Sequence, residues 1–135
     1  MPVRFRQGVN IGVSSTSAEE KDLGNLKWEV VTDSLGEGGS WKTLVEAGEI
    51  DLEIALDNLA AAKFLALRTV SKDPTQNPVA LTFKKESALG EAFVVQPLAD
   101  TKEGHFLIST DAITALYVTN SGSVDMEVTI VTAGD

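Results

Sequence analysis

The single histidine, His105, is the first residue that could carry hydrolytic chemistry. A Ser–His–Asp arrangement would need it as general base, because the sequence contains no other histidine. His105 follows Gly104 at the start of an apolar stretch, which is typical of an ordinary side chain near a strand end. The sequence also lacks a Gly-x-Ser-x-Gly elbow, a P-loop and a dinucleotide-binding fingerprint. We therefore expect a protein that is not an enzyme and uses no cofactor.

Closely spaced carboxylates are the second feature that could carry chemistry. Glu49, Asp51 and Glu53 alternate with apolar residues, as do Asp125 and Glu127, and a strand would place each set on one face. Such pairs can bind Ca²⁺ or hydrolyse glycosidic bonds. Because the intervening residues are all apolar, the pattern is also that of the solvent-facing side of a half-buried strand. We adopt this simpler interpretation, which predicts no metal site.

Three aromatic residues could stack on a sugar ring if the chain were a carbohydrate-binding module. They are Trp28, Trp41 and Tyr117. Each lies inside an alternating stretch, which favours a place in the core over a place on a binding surface.

The amino-terminal stretch Val3-Arg4-Phe5-Arg6 is the candidate partner-binding segment. It alternates apolar and cationic residues, which suits a strand added to the edge of a partner's sheet while the guanidinium groups pair with carboxylates. A first strand of the core and a frayed terminus are equally compatible with the pattern. We predict that residues 1–24 form an arm or first strand and that residues 25–135 form the main domain.

Alternation of apolar and polar residues with a period of two recurs along the chain and predicts an all-β fold. Trp41, Thr43 and Val45 should share one face, as should Ile50, Leu52, Ile54 and Leu56, and likewise Val124, Met126, Val128 and Ile130. A short helical turn is possible over 57–62, and residues 64–70 read as a central strand. The predicted strands are 26–32, 41–47, 49–56, 64–70, 79–84, 92–96, 105–109, 113–119 and 124–132.

The stretches between these strands contain typical turn residues. Gly36-Glu37-Gly38-Gly39 predicts a flexible loop, and Asn120-Ser121-Gly122-Ser123 predicts a hairpin between the last two strands. About eight or nine strands with frequent turns favour an antiparallel β-sandwich or barrel, and a jelly roll fits this length. An immunoglobulin-like sandwich is the structural alternative.

Composition narrows the possible partners. The chain has 135 residues, enough for one domain with its own core, and no cysteine, so neither a disulfide nor a thiolate site is possible. Its net charge of −9 disfavours direct contact with nucleic acid or anionic membranes. Residues 1–17 contain Arg4 and Arg6 and no acidic residue. No apolar run reaches the length of a membrane span, and we expect a soluble protein.

The second half resembles small virion proteins of tailed bacteriophages. The resemblance rests on residues 50–68 (IDLEIALDNLAAAKFLALR), on residues 106–120 (FLISTDAITALYVTN), and on the Gly-Ser turn and final strand ending Ala133-Gly134-Asp135. It covers about residues 45–135 and is similar in style to the jelly-roll decoration, or cement, proteins on the outside of icosahedral heads. No catalytic residue is carried over by it.

The resemblance implies a homo-oligomer, a dimer or trimer, that binds the major capsid protein on the capsid exterior and stabilises the shell. The protein would be assembled into the virion in the host cytoplasm. Two other functions stay open at this point, namely a tail or baseplate structural module and a carbohydrate-binding β-sandwich.

Overall fold

Antiparallel β-strands form the described structure. The computed structural model describes residues 3–14, 22–35, 37–56, 61–98 and 100–134, and within them the chain forms no helix. The predicted all-β class is confirmed. The strands are β1 (Val3–Ser14), β2 (Asp22–Leu35), β3 (Glu37–Val45), β4 (Leu52–Ile54), β5 (Ala62–Ser71), β6 (Leu81–Lys85), β7 (Ala92–Val95), β8 (Glu103–Ile113), β9 (Leu116–Thr119) and β10 (Met126–Gly134).

Strands β3 to β10 form a β-sandwich of two four-stranded sheets. One sheet has the order β3-β10-β5-β8 and the other the order β4-β9-β6-β7. The antiparallel pairing is nested, because β6 pairs with β7, β5 with β8, β4 with β9 and β3 with β10. The prediction of a sandwich of about eight strands is confirmed, and β5 is the central strand that residues 64–70 predicted.

The core lies between the two sheets, and alternation along the strands selects its residues. In β10 the side chains of Met126, Val128 and Ile130 are fully buried, as predicted. Val124 packs against the core just before this strand. Trp41 and Val45 of β3 also face the core, which agrees with the prediction that they share one face of their strand.

A row of aromatic rings fills the side of the sandwich where β7 and β8 lie. Phe83 of β6 stacks on Phe93 of β7 with ring centroids 5.5 Å apart. Phe93 in turn stacks on Phe106 of β8 at 4.1 Å. The row therefore crosses from one sheet to the other and joins their edges, where stacking adds to the free energy of apolar burial.

Strands β1 and β2 form a long antiparallel hairpin, which we call the arm. It is a two-stranded sheet of its own, in which Val9 lies opposite Trp28 and Ile11 lies opposite Leu26. The sandwich begins at Glu37, so the predicted boundary at residue 24 falls inside β2. Alternation over residues 26–32 shows that the segment is a strand, but it does not show which strand it pairs with.

The glycine-rich segment 36–39 differs from the prediction. Glu37, Gly38 and Gly39 belong to β3 and pair with Gly134, Ala133 and Thr132 of β10, so the predicted loop is wrong for these three residues. A Cβ atom at Gly38 would lie 3.0 Å from the carbonyl oxygen of Thr132. Glycine here allows a close approach of two backbones within a strand.

The predicted hairpin at residues 120–123 is also wrong. β9 and β10 belong to different sheets, so this segment crosses the sandwich. Asn120 is fully buried at the crossing. Its amide Nδ2 donates hydrogen bonds to the carbonyl oxygens of Val45 (3.2 Å) and Val124 (2.8 Å), and its Oδ1 accepts one from the backbone N–H of Gly122 (3.0 Å). The side chain of Asn120 thus supplies hydrogen bonds at this crossing, where the strands before and after it do not pair with each other.

The strand predicted over 49–56 is shorter than expected. Only Leu52–Ile54 forms β4, and Ile50 is 75% exposed, so its predicted inward position is wrong. Asp51 has a φ of +49°, a left-handed conformation that Asp tolerates better than most residues and that breaks the alternation. Beyond it the prediction holds, because Ile54 and Leu56 are buried. The predicted helical turn over 57–62 lies mostly outside the described residues, and Ala62 begins β5.

Candidate binding surface

The candidate site is built on the outer face of the β10-β5-β8 sheet. Register places Val131 of β10, Ala66 of β5 and Leu107 of β8 side by side in one row across this face. Both Val131 and Leu107 are large apolar side chains that stay partly exposed. An apolar row on the outer face of a sheet is unusual for a solvated surface and indicates a covering element.

The arm is that covering element, but it covers the row incompletely. Val9, Ile11 and Trp28 line one side of a cleft of about 650 Å³, and Ala66, Leu107 and Val131 line the other. A smaller cleft of about 240 Å³ continues along β1 towards Arg6, between Gly8 and Phe64. The open cleft leaves Ile11 53% exposed and its partner Leu26 57% exposed.

Charged side chains form a rim on one side of the cleft. Arg68 of β5 pairs with Glu103 of β8, whose other carboxylate oxygen lies 3.1 Å from Nε2 of His105. The hydrogen bond from Arg68 lowers the pKa of Glu103, and the same pair raises the pKa of Arg68. Glu127 of β10 pairs with Lys42 of β3 at 3.5 Å on the same face. The Arg68–Glu103 and Lys42–Glu127 pairs place opposite charges side by side, so the charges of the rim largely compensate one another.

The predicted binding segment lies in β1 of the arm. Arg4 and Arg6 are both exposed, and Nε of Arg6 lies 3.9 Å from a carboxylate oxygen of Glu29 on β2. The backbones of Val3 and Phe5 pair with β2 at Leu35 and Thr32, and their side chains lie outside the described part. Among the described strands, β1 pairs with β2 along one edge, and its other edge could accept a further strand.

The histidine and the alternating carboxylates have structural partners. His105 lies on the outer face and pairs with Glu103. Asp51 accepts a hydrogen bond from Lys84 at 2.9 Å, which lowers its pKa, and Asp125 accepts one from the backbone N–H of Ala47 at 2.8 Å. Across the described ranges, no three His, Asp or Glu side chains lie close enough together to hold a metal ion.

The three aromatic residues do not share one environment. Trp41 packs against the core and Tyr117 is half-buried, whereas Trp28 belongs to the arm and lines the cleft. The core position favoured for Trp28 is therefore wrong. Alternation alone gives Trp28 an apolar face, and the choice between the core and the cleft depends on the pairing of β2, which the pattern does not contain.

The cleft residues on the sandwich were not predicted from the sequence. Ala66, Leu107 and Val131 lie at outward positions of their strands, where a polar residue is the usual choice. The nearly continuous apolar run in β5 is the signal that both faces of that strand are covered. This apolar run in residues 64–70 is therefore a sequence signal for a second covering element outside the sandwich.

Comparison with known proteins identifies no relative. No family model, no curated protein and no solved structure matches the chain. In the part of the chain that is described, no helix is long and apolar enough to cross a bilayer.

Proposed function

We propose that this chain is a non-enzymatic structural protein of a virion, which binds the outside of a phage capsid and stabilises it. The observation that carries the proposal is the incompletely covered arm. An isolated two-stranded hairpin is only marginally stable in water, and this one has a large apolar face over an open cleft. A protein partner that covers Ile11 and Leu26 would complete the structure.

The strand order supports the same proposal. We infer that the sandwich is a jelly roll, because a jelly roll is an eight-stranded double sheet built from two Greek keys. The nested pairs β6·β7, β5·β8, β4·β9 and β3·β10 are the pairs that form when one long antiparallel hairpin is wound around a core. Viral capsid domains and lectins both use this architecture, so it is compatible with two of the open functions.

The chemistry of the surface also supports docking on protein. The cleft is lined mainly by apolar side chains, and the charges of its rim lie in ion pairs of opposite sign. Such a surface resembles the apolar core and polar rim of a protein interface. Many copies on one shell would add their individual contacts, so that each contact need not be strong. The proposed partner is the major capsid protein.

The test is reconstitution on phage heads. Heads stripped of the protein should bind the purified chain again, and reloaded heads should resist heat better than stripped ones. The substitutions Ile11→Lys and Leu26→Lys should each weaken binding by at least about tenfold, because each removes an apolar side chain from the contact. The matched control is Ile50→Lys, which changes an exposed apolar residue away from the arm.

Two results would overturn the proposal. The first is a protein that is absent from purified heads or is found on tails, which would favour the tail or baseplate module. The second is equal binding by the arm variants and the control, which would place the contact elsewhere on the chain.

Carbohydrate binding is the second candidate, and the position of Trp28 favours it. Trp28 lines the cleft together with Arg68 and His105, which gives one aromatic face beside two polar groups. Under this function Trp28→Ala should abolish binding on a glycan array. Trp41→Ala tests the fold, because Trp41 packs against the core, and its loss should lower stability without selecting among glycans.

A further inference from the structure

The edge strand β7 has an unusual composition for an exposed edge. Six strands lie at the edges of the three sheets, namely β1, β2, β3, β4, β7 and β8. Among these described strands only β7, Ala92-Phe93-Val94-Val95, contains no charged residue. Charged residues on edge strands prevent pairing with other chains, so an uncharged apolar edge indicates a strand that pairs with something.

The backbone of β7 is arranged for pairing on its open side. The N–H of Lys85 donates to the carbonyl oxygen of Glu91, which identifies this pair as hydrogen-bonded. Hydrogen-bonded and non-bonded pairs alternate in an antiparallel ladder, so Phe93 and Val95 direct their polar groups towards β6. Ala92 and Val94 therefore direct theirs away from β6, to the edge of the sheet.

Apolar side chains accompany this open edge. Val94 is 59% exposed on the outer face of the sheet, and Leu98, just beyond the strand, is 65% exposed. Phe93 is half-buried in the middle of the aromatic row, between Phe83 and Phe106. A strand added beside β7 would therefore gain both ladder hydrogen bonds and apolar contact.

We propose that β7 pairs antiparallel with β7 of a second copy, so that two sandwiches share one continuous eight-stranded sheet. A two-fold axis at Val94 places Val94 opposite Val94 of the partner copy and Ala92 opposite Gln96. About six main-chain hydrogen bonds form in this register, since the outward-directed groups of both strands match. Pro97 ends the pairing segment because it has no N–H.

Charge is the reason for choosing a second copy as the occupant. A chain with net charge −9 repels itself over most of its surface. The acidic residue nearest to β7 in the sequence is Glu91, which pairs with Lys85 at 3.4 Å. In the proposed register the two copies of Glu91 are about 20 Å apart, well beyond the Debye length at physiological salt. The uncharged edge is thus a place where two copies can meet without opposing like charges.

The inference does not depend on the proposed capsid function, since it concerns the free protein. The contact is small, and we expect a dissociation constant on the order of micromolar. Sedimentation of the full chain should show a reversible dimer with twice the 14.3 kDa mass of one chain. Val94→Lys should weaken the dimer at least about 30-fold, because it removes an apolar pair and opposes two cations at the axis.

Val94→Pro is the second variant, and it separates pairing from folding. The N–H of Val94 is not used in the ladder with β6, so proline should leave the sandwich intact while it blocks the open edge. Ile50→Lys is the matched control, because it introduces the same charge at an exposed apolar residue outside the edge strands and should leave the dimer unchanged. Circular dichroism of each variant checks that the sandwich is folded.

Hydrogen exchange on the unmodified protein gives an independent readout. The amides of Phe93 and Val95 should be protected at all concentrations, since they bond to β6. Those of Ala92 and Val94 should become protected only as the dimer forms. A monomer at up to about 0.5 mM, a trimer, or a dimer in which Ala92 and Val94 exchange freely would each overturn the inference. So would a dimer that survives both substitutions at Val94.

Discussion

Asn120 offers the sharpest test of how the sandwich is held together. It is fully buried where the chain crosses between sheets, and its side-chain amide bonds to three backbone groups, those of Val45, Gly122 and Val124. Its own backbone also pairs with the turn before β4, because its N–H donates to Glu49 and its carbonyl accepts from Gly48. The side chain thus ties the end of β3 to the crossing before β10.

Replacing Asn120 by alanine should lower the free energy of unfolding by about 2–4 kcal/mol. The substitution removes three hydrogen bonds and leaves buried backbone groups without those partners, each at a cost of about 1–3 kcal/mol that partial hydration reduces. Asn120→Asp should be worse at neutral pH. A carboxylate would face the carbonyl oxygens of Val45 and Val124, to which the amide now donates.

The pH dependence of Asn120→Asp distinguishes this account from a simple loss of packing. Burial beside two carbonyl oxygens should raise the pKa of the new carboxyl above the value of about 3.9 that it has when unfolded. Stability relative to the natural protein should therefore be greatest below about pH 4, where the carboxyl is protonated and can donate. It should be lost as pH rises through the raised pKa.

Urea unfolding followed by circular dichroism at pH 4 and pH 7 makes the measurement. The control is Ser121→Ala, which changes the exposed neighbour and should alter stability by no more than about 0.5 kcal/mol. Equal destabilisation by Ala and Asp at both pH values would show that the side-chain amide does not hold the crossing, and the reasoning would be refuted.

Three further substitutions test other parts of the sandwich. Thr69→Val should leave stability unchanged or raise it by up to about 1 kcal/mol in thermal unfolding, because the buried hydroxyl of Thr69 has no hydrogen-bond partner among the described residues; a loss above that size would reveal one. Gly104→Ala should destabilise by about 1–3 kcal/mol, since its Cβ would lie 2.5 Å from Oγ1 of Thr69 and 2.8 Å from Cγ1 of Val95, and unchanged stability would contradict the packing. The hydrogen bond from Lys84 lowers the pKa of Asp51, so the ionised carboxylate stabilises the fold at pH values above the ordinary pKa of Asp. This stability is lost as the pH falls through the lowered pKa. Acid titration of stability should therefore be shallower in Asp51→Asn, and an unchanged titration would remove Asp51 from the account.

The strands and their inward faces could be predicted from the sequence because each depends on local alternation. The faces of β3 and β10 follow directly from Trp41 and Val45 and from Met126, Val128 and Ile130. Ile50 is the exception. Asp51 has a left-handed backbone conformation, so the alternation of inward and outward side chains does not continue from Ile50 into β4. The sequence pattern carries no sign of that backbone conformation.

Pairing partners could not be predicted, because they depend on residues far apart in the chain. The turn residues at 120–123 suit a hairpin as well as a crossing, and only the buried position of Asn120 distinguishes them. For the same reason, β2 was predicted to belong to the main domain and Trp28 to its core. In the structure β2 pairs with β1 instead. The cleft is formed by this pairing together with the outward row at Ala66, and so it was not visible to local reasoning.

The nested order of the strands has a consequence for how the protein is made. β10 lies between β3 and β5 in its sheet, yet it leaves the ribosome after all nine other described strands. Until β10 is synthesised, β3 and β5 lack the strand that lies between them, and both expose apolar residues that are buried in the folded sandwich. The nascent polypeptide must therefore wait for a late segment before this layer can close, which exposes it to chaperones and to misassembly during translation.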